Sequence, residues 1–477
     1  MEDTIAAIAT PPGEGGIGII RISGANALPI LEKLFTRVTK KYTRDEGCDS
    51  FLPEAAGETV STPIKSRQFH YGYIADPDTG DLIDEVMAVY MKGPYSYTTE
   101  DVAEIQCHGS FVSLRRILAL VLRNGARMAE PGEFTKRAFL NGRLDLTQAE
   151  AVIDVIRAKT DKTFDVAMDQ LEGVLSKKIK SIRNKLVDIL VNVTVNIDYP
   201  DEDIEEITYD KLGADLEDAA CDIQALLDSA ETGRMIQEGL AVSIIGKPNV
   251  GKSSLMNRLL GEGRAIVTDI PGTTRDTIEE HLSVRGIPVR LTDTAGIRHT
   301  EDVIEKIGIE RSKASFNQAD LVIFILDSSR PLSEEDREIM ELIDEKKTII
   351  ALNKADLTAA MGKDDIRKIL PDAALIETSM ETGDGIDEIE EHIVSMVYGG
   401  QVSQKNSVMV TNVRHKDILE KAKKSLDDAA AMTEMKEALE FIEIDINSAY
   451  EALGEIIGET VRDDIINEVF SRFCLGK

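Results

Sequence analysis

The segment Gly246–Ser253 has the composition and spacing of a loop that binds phosphate groups. It reads Gly-Lys-Pro-Asn-Val-Gly-Lys-Ser, which fits the pattern GxxxxGK[ST], and it follows an apolar run typical of a buried strand. In such a loop the main-chain N–H groups surround the phosphates, Lys252 places a charge beside the β- and γ-phosphates, and the Ser253 hydroxyl can bind Mg²⁺. The helical pattern of Ser254–Leu260 completes the expected strand, loop and helix.

Three further motifs select the nucleotide and its metal. Asn353–Asp356 (Asn-Lys-Ala-Asp) ends a predicted strand, and the Asp356 carboxylate can accept hydrogen bonds from the N1–H and 2-amino groups of guanine. Adenine presents the wrong pattern, so this motif predicts GTP rather than ATP. Asp293–Gly296 (Asp-Thr-Ala-Gly) can hold the water shell of the metal and contact the γ-phosphate, and Thr274, in Gly272–Asp276, can complete the Mg²⁺ shell.

The nucleotide motifs do not by themselves identify the group that orients the attacking water. Small GTPases of the Ras type carry a Gln just after the glycine of the Asp-x-x-Gly motif, whereas Ile297 stands here. The Asn249 side chain either caps its loop or, with main-chain carbonyls of Thr268–Thr273, holds a monovalent cation beside the phosphates, where it would act as an arginine finger does elsewhere. The candidates for the water itself, each of which can equally lie on a solvated helix face, are Glu301, Asp302 and Glu305.

The elements around these motifs alternate between strand and helix through residues 240–400. This alternation predicts a doubly wound, mainly parallel sheet. The predicted strands are Leu240–Ile245, Val289–Thr292, Leu321–Asp327, Thr348–Asn353 and Leu375–Thr378.

The regions that flank residues 240–400 show two other patterns of apolar residues. Residues 1–140 mix strand-like runs (Ile17–Ile22, Glu85–Met91) with a helical pattern at Phe111–Leu122, which is typical of an α+β domain. A helical period then begins at Thr147, which forms a predicted capping box with Glu150, and continues to Ile197. A single helix of that length would measure about 75 Å, so we expect two or more helices.

Further helical patterns run from Leu216 to Gly233 and again after Gly400 to Phe473, and the acid-rich stretch Asp201–Asp218 between the first two patterns is predicted to be a solvated loop. The sequence therefore predicts a multidomain chain with α+β, all-α and α/β parts, in which a G domain is inserted into a helical domain. The predicted divisions are 1–140, 141–233, 234–400 and 401–477.

Composition restricts the partners and the compartment. The net charge of −31, from 86 acids and 55 bases, argues against wide non-specific contact with nucleic-acid phosphates, although a local patch or a partner can still present an RNA. The cysteines lie far apart without a Cys-x-x-Cys pair, so neither zinc nor a disulfide framework is predicted. The adjacent Cys107 and His108 should point to opposite faces of a strand, so we expect packing rather than a nucleophile–base pair. With no signal-peptide pattern and no long apolar run, the sequence predicts a cytoplasmic protein with no membrane contact.

Segments outside the nucleotide motifs indicate a family. They are Thr4–Thr10 with Gly15–Gly24, Pro131–Thr135 with Arg137–Gly142, Leu144–Glu150, and Phe473–Lys477. Through them the sequence resembles the tRNA-modifying GTPase family MnmE, also called TrmE, over essentially its whole length. The nucleotide motifs themselves are shared with several bacterial GTPases that assemble ribosomes, so they do not single out a family.

The resemblance implies a first domain that dimerises and binds (6S)-5-formyl-tetrahydrofolate or a related folate. By the family pattern the folate contacts fall on Arg21, Glu85, Arg143 and Lys477. The last of these can reach a folate only if the tail folds back onto the first domain. Cys474 is the C-terminal cysteine of the family and is a possible functional thiol.

The resemblance also implies how GTP is hydrolysed. Potassium and pairing across the dimer activate the G domains of the family; the K⁺ ligands match Asn249, Thr268, Ile270 and Thr273. The Mg²⁺ ligands match Ser253 and Thr274, and the catalytic residues match Lys252 and the water-orienting Glu305. In the third guanine element, Ser379-Met-Glu381 stands where Ser-Ala-Lys is commoner, so only Ser379 is carried over. The full set of implied GTP contacts is Asn249, Val250, Gly251, Lys252, Ser253, Ser254, Thr268, Asp269, Ile270, Pro271, Gly272, Thr273, Thr274, Asp293, Thr294, Ala295, Gly296, Asn353, Lys354, Ala355, Asp356 and Ser379.

At the level of function, the resemblance implies a GTP hydrolase that works with the flavin-dependent partner MnmG, as a heterotetramer acting on tRNA. Together they would add a carboxymethylaminomethyl group at C5 of the wobble uridine (U34) of certain tRNAs, with hydrolysis driving G-domain dimerisation and a conformational change. Two alternatives stay open. A ribosome-assembly GTPase would carry an appended basic RNA-binding module, which neither acidic flank supplies, and a folate-binding scaffold would use its G domain only to time assembly.

Overall fold

The computed structural model describes residues 3–11, 13–37, 63–198, 208–262, 280–292, 319–399 and 408–477. The chain divides into two compact units. The first combines Met1–Ile153 with Ile457–Lys477, and the second is Asp154–Ile456. The first unit therefore contains both the start and the end of the sequence.

Within its described residues, the first unit contains a sheet of seven strands in the order β3-β4-β5-β6-β2-β1-β7. Neighbouring strands are antiparallel except β1 and β7, which are parallel. The strands are β1 Ile5–Ile8, β2 Gly15–Ser23, β3 Phe35–Arg37, β4 Phe69–Ala75, β5 Leu82–Met91, β6 Val102–Gly109 and β7 Arg127–Met128. The predicted strands at Ile17–Ile22 and Glu85–Met91 are confirmed within β2 and β5.

Helices cover one face of this sheet. The helices α1 Ala27–Leu34 and α2 Phe111–Arg123 pack their apolar residues against the alternate strand residues that point inward, such as Ile20, Ala88 and Ile105. The helix predicted at Phe111–Leu122 is thus confirmed. The remaining helices with residues in this unit are α3 Glu133–Leu140, α4 Leu146–Arg157 and α15 Asp463–Ser471.

The start of α4 corrects a prediction. The helix begins at Leu146, and its reciprocal cap joins Asp145 to Gln148, not Thr147 to Glu150. The Gln148 N–H donates to Asp145 Oδ1 at 3.0 Å, and the Asp145 N–H donates to Gln148 Oε1 at 3.1 Å. Aspartate is a stronger N-cap than threonine, and Gln148, three residues after Asp145, completes a capping box. This box begins two residues before the predicted one, which began at Thr147.

The second unit contains a helical part. Its helices are α5 Asp161–Leu171, α6 Val174–Asp198, α7 Tyr209–Asp228, α8 Ala230–Glu238, α13 Val413–Glu434 and α14 Leu439–Ile457. The predicted break of the long helical pattern is confirmed, because α4, α5 and α6 divide it. The predicted loop at Asp201–Asp218 is wrong from Tyr209 onward, where α7 has already begun behind a Thr208 cap; 201–207 lie outside the described residues.

The other part of the second unit is an α/β domain. Its described strands form a sheet in the order β13-β12-β11-β8-β10-β9, in which only β9 and β10 are antiparallel. The strands are β8 Leu240–Ile245, β9 Glu280–Val284, β10 Ile287–Thr292, β11 Leu321–Asp327, β12 Thr348–Asn353 and β13 Ala374–Glu377. The helices are α9 Lys252–Glu262, α10 Glu334–Met340, α11 Lys363–Arg367 and α12 Ile386–Val397, and a 3₁₀ turn covers Glu345–Lys347.

Apolar clusters cover both faces of this sheet, so the central strands are buried throughout. The predicted doubly wound, mainly parallel sheet is confirmed, and the carboxyl ends of β8, β11, β12 and β13 lie at one edge, where ligands bind in such folds. Throughout the described ranges, every helix is too short or too polar to cross a membrane.

Candidate functional site

The predicted phosphate loop joins β8 to α9, and its conformation depends on two glycines. Gly246 and Gly251 both have positive φ angles, of 143° and 112°. A Cβ at Gly246 would lie 2.5 Å from the Ile325 carbonyl oxygen, and one at Gly251 would lie 2.2 Å from Asn353 Nδ2. A side chain at either position would collide with β11 or with the base-binding loop, so the spacing of these glycines is a steric requirement.

Lys252 lies inside the loop that it is predicted to serve. Its Nζ donates to the carbonyl oxygens of Gly246 at 2.6 Å and Lys247 at 2.5 Å, and burial lowers the pKa of the ammonium. Phosphate oxygens would counter this effect by favouring the charged form. Ser253 follows at the exposed first turn of α9, so its hydroxyl is placed for a metal bound to the phosphates.

Asn249, the predicted potassium ligand, has the left-handed conformation with φ of 65° and an exposed side chain. Among the described residues no hydrogen bond engages its amide, so its oxygen is available for a cation. A carbonyl-type oxygen is a suitable donor for a hard monovalent ion. The chemistry of this residue therefore fits the predicted site.

Asn353 connects the three loops that surround a nucleotide. Its Nδ2 donates to the Val250 carbonyl of the phosphate loop at 2.7 Å, and its Oδ1 accepts the Met380 N–H at 3.1 Å. The side chain is almost fully buried. It thereby fixes the distance between the part of the site that contacts phosphates and the part that contacts the base.

Asp356 is oriented by the loop that follows β13. The Ser379 hydroxyl donates to Asp356 Oδ1 at 2.6 Å, and the Ala355 N–H donates to the Thr378 carbonyl at 3.1 Å. The carboxylate is exposed beside these contacts. A carboxylate held in this way can accept the two N–H groups of a guanine edge, as the motif predicts.

Lys354, which lies in the same loop as Asp356, forms an ion pair with Asp327 at the end of β11. Its Nζ lies 2.7 Å from Asp327 Oδ2. Burial raises the pKa of that aspartate, but the hydrogen bonds from Lys354 and Ser329 outweigh burial and lower it overall. This ion pair stabilises the loop that contains Asp356.

The predicted residues on the switch segments lie outside the described residues. They are Thr268, Asp269, Ile270, Pro271, Gly272, Thr273, Thr274, Asp293, Thr294, Ala295, Gly296 and Glu305. Their roles stay predictions. The described part of the site is the half that is predicted to contact the base and to anchor the phosphates.

A second group of site residues meets in the first unit around Tyr97. The guanidinium carbons of Arg21 and Arg143 lie 5.3 Å and 4.7 Å from the centre of the Tyr97 ring. Arg21 Nη1 donates to the Gly476 carbonyl at 3.5 Å, and burial together with the charge of Arg21 lowers the pKa of the Lys477 ammonium. Three predicted folate residues, far apart in sequence, are thus brought together by the fold.

Glycines on both sides of the contact allow the C-terminal tail, residues 474–477, to pack against the first domain. The Phe134 N–H donates to the Lys477 main-chain oxygen at 3.2 Å, and the Gly132 N–H donates to the Cys474 carbonyl at 3.4 Å. A Cβ at Gly476, where φ is +90°, would lie 2.2 Å from the Ile8 carbonyl oxygen. The condition on Lys477 is met, because the tail does fold back onto the first domain. The Cys474 side chain itself is exposed.

Glu85 does not join this group around Tyr97, and its contact with a folate stays a prediction. It lies on β5, which β6 separates from β2, and its carboxylate accepts the Tyr71 hydroxyl. The acid beside Arg21 is Glu104, which faces it across the β2–β6 ladder and accepts its Nε–H at 2.8 Å. No local pattern marks Glu104, because only the strand register places it opposite Arg21.

Cys107 and His108 point to opposite faces, as predicted. The Cys107 thiol is buried and donates to the Gly18 carbonyl at 3.4 Å. His108 is exposed, and its Nδ1 lies 2.7 Å from Asp84 Oδ1, which raises the pKa of the imidazole. The thiol and the imidazole therefore do not form a catalytic pair.

Comparison with known proteins decides the family. The family model "MnmE helical domain" matches residues 146–474, and "GTP-binding protein TrmE N-terminus" matches residues 4–143. The chain is 53% identical over 477 residues to the tRNA modification GTPase MnmE of Alkaliphilus oremlandii (strain OhILAs), covering 100% of both chains. It is 51% identical, again with 100% of both chains covered, to the MnmE of Clostridioides difficile (strain 630). The chain belongs to the MnmE family.

Among solved structures, the G domain of the FeoB iron transporter of T. maritima is similar over 33% of this chain and 98% of its own, with 31% identity and a TM-score of 0.25. As a member of the MnmE family, the protein is a GTP hydrolase that acts in tRNA modification. The predicted fold class is confirmed as well, with an MnmE-type first domain, a helical domain and an α/β G domain.

Proposed function

We propose that this protein is a potassium-activated GTPase that, with a flavin-dependent partner of the MnmG type, adds a carboxymethylaminomethyl group at C5 of the wobble uridine U34 of certain tRNAs. The observation that carries this proposal is the presence, in one chain, of the GTP site and of the cationic group closed by the C-terminal tail. A GTPase that only switched binding partners would have no use for the second group. We place the protein in the cytoplasm, with the domain division 1–140, 141–233, 234–400 and 401–477.

In the GTP site, each described residue has a binding or orienting role. Asp356 and Ser379 read the guanine edge, Asn353 fixes the spacing of the loops, and Lys252 holds the β- and γ-phosphates. Mg²⁺, held by Ser253 and Thr274, would neutralise charge on the phosphate oxygens.

K⁺, held by Asn249 and by Thr268, Ile270 and Thr273, would add positive charge beside the phosphates when G domains pair. Glu305 is assigned to orient the water, because Ile297 cannot do so. The potassium requirement gives a direct measurement. We expect faster turnover of GTP in potassium than in sodium at equal ionic strength, and equal rates in the two salts would refute the cation site.

The group around Tyr97 is proposed to bind a reduced folate. Arg21, Arg143 and Lys477 offer cations to the carboxylates or carbonyl oxygens of a folate, and Glu104 offers an acceptor to its ring N–H groups. Glu85 is the fourth proposed folate contact. The Tyr97 ring, which both arginines approach, gives the site an aromatic surface. The residues present therefore fit a flat, polar and anionic molecule.

A homodimer is proposed through the first unit. On the face of its sheet opposite α1 and α2, Phe69, Tyr71 and Met87 are exposed on neighbouring strands. Large apolar side chains grouped on an open sheet face are typical of a surface that is covered in an assembly. This supports pairing of two chains, with the MnmG-type partner making a heterotetramer.

The deciding experiment is mass spectrometry of wobble uridines. Cells that lack this protein should lose the C5 modification from tRNAs, and the wild-type chain should restore it. Glu305→Ala should bind GTP but fail to restore the modification. Unchanged wobble uridines in cells without the protein would reject the proposed function.

A further inference from the structure

Arg258, on the helix that begins with the phosphate-binding lysine, reaches the loop that follows β13. Its Nε donates to the Met380 carbonyl at 2.9 Å, and its Nη2 donates to the Glu381 carbonyl at 2.8 Å. These are the two residues directly after Ser379, the residue that orients Asp356. The bond to the Met380 carbonyl is part-buried and therefore shielded from full competition with water, whereas the bond to the Glu381 carbonyl is exposed.

The loop satisfies its N–H groups by other contacts. The Ser379 N–H donates to the Asp384 carbonyl at 3.0 Å, the Gly383 N–H donates to the Ser379 carbonyl at 2.8 Å, and the Met380 N–H donates to Asn353 Oδ1 at 3.1 Å. The carbonyls of Met380 and Glu381 accept their hydrogen bonds from Arg258. Two successive carbonyls at this spacing suit the planar fork of a guanidinium, whereas a lysine ammonium offers only a point charge.

Gly383 makes room for this contact. Its φ is +96°, and a Cβ there would lie 2.8 Å from Arg258 Nη1. The Met380 and Glu381 side chains take no part, since Arg258 binds main-chain oxygens. The loop can therefore keep its shape although Met and Glu stand where Ala and Lys are commoner in other GTPases.

We infer that Arg258 is a positioning residue for guanine recognition, which fixes the Ser379–Glu381 loop to the same helix that presents Lys252 and Ser253 to the phosphates. The inference rests on the proposed reading of guanine by Asp356 and Ser379. Through this link, one rigid helix sets the distance between the base-binding loop and the phosphate loop. Because Arg258 binds the main chain of the loop and is not among the residues assigned to the nucleotide or the water, we expect it to act on affinity and base selection rather than on the chemical step.

The test compares full-length Arg258→Met, Arg258→Lys and the control Lys368→Met, an exposed lysine of the same domain whose ion pair with Asp365 is remote from the loop. For Arg258→Met we expect the Kd of GDP to rise about tenfold and the preference for GDP over IDP to shrink, because the 2-amino group that distinguishes them faces Asp356. The turnover number at saturating GTP should change less than about twofold, since a positioning residue adds nothing to the transition state. Arg258→Lys should lie between, and Lys368→Met should match the wild type.

A double-mutant cycle with Ser379→Ala identifies the route of the effect. If Arg258 acts through the loop, the two substitutions together should raise the Kd of GDP by less than the product of their separate effects. Multiplicative effects, or a wild-type Kd and GDP preference in Arg258→Met, would overturn the inference; if Arg258→Met fails to fold, the same criteria apply to Arg258→Lys. Loss of guanine preference in Asp356→Asn but not in Arg258→Met refutes the positioning role alone. No loss in Asp356→Asn refutes the guanine assignment on which that role depends.

Discussion

Replacing Asp356 with asparagine should change the base that the protein selects. In the structure one carboxylate oxygen accepts the Ser379 hydroxyl at 2.6 Å, so the orientation of the side chain is fixed by a contact that an amide oxygen can also accept. The substituted side chain would keep this bond through its amide oxygen but would present an NH₂ group to the base edge. Guanine offers two donors there, N1–H and the 2-amino group, whereas xanthine offers one donor and a carbonyl.

The size of the change follows from the bonds lost. Each hydrogen bond to a carboxylate contributes about 1.5–3 kcal/mol, so losing both should cost about 3–6 kcal/mol. At about 1.4 kcal/mol per factor of ten, the Kd of GTP should rise by roughly two to four orders of magnitude. Xanthosine triphosphate should bind better to the variant than to the wild type, because the amide pairs with its O2 carbonyl.

Competition against a fluorescent nucleotide measures both affinities, and hydrolysis of each triphosphate at saturation gives the turnover number. The turnover number with xanthosine triphosphate should approach that of the wild type with GTP, since Asp356 does not contact the phosphates. Asp364→Asn, which removes an exposed carboxylate on α11, is the control and should change neither affinity. A variant that keeps its GTP affinity, or that loses both nucleotides equally, would show that Asp356 does not read the base.

Three further predictions concern the first unit. Arg137 is fully buried and forms ion pairs with Asp3, Glu100 and Glu133. Arg137→Met should therefore lower the free energy of unfolding by about 3–5 kcal/mol, which is measured as a lower midpoint of thermal unfolding. An unchanged midpoint would contradict a stabilising role of these ion pairs. Removing residues 474–477 should abolish folate binding in calorimetry while the Kd of GTP stays constant, and retained folate binding would separate the tail from that site. NMR titration should give the His108 imidazole a pKa above 6.5, and this pKa should fall in Asp84→Asn. The contribution of the His108–Asp84 pair to the free energy of unfolding should be complete below pH 6.5 and should be lost as the pH rises through the raised pKa. Equal His108 pKa values in the two proteins would contradict the contact.

The elements that the sequence predicted best are those whose pattern is local. The strands β8, β11 and β12 have the predicted bounds to the residue, because a buried parallel strand is a continuous apolar run between polar residues. The nucleotide motifs are equally local, since a phosphate loop is built from neighbouring residues. Asn353 and Asp356 were placed correctly for the same reason.

The predictions that failed needed information from outside the local window. The contact between Glu104 and Arg21 was not predicted at all, because it depends on the β2–β6 register, which no periodicity within either strand specifies. The start of α4 was missed because two overlapping boxes compete within six residues, and Asp145 is the stronger cap. The acidic first half of α7 resembled a loop by its charge, although Lys185 of α6 forms ion pairs with Asp218 and Asp222 farther along the helix.

The packing of residues 457–477 into the first unit has a consequence for biosynthesis. The ribosome finishes the sheet of that unit long before it makes Phe473 and Lys477, and at about 5–20 residues per second the interval after residue 153 is on the order of twenty seconds to a minute. During that time Gly132, Phe134 and Arg21 lack their tail contacts, and Phe470 and Phe473 are not yet present to pack beside α3. A prematurely terminated chain can thus form its early strands but not its cationic site. Completion of that site therefore requires translation through Lys477.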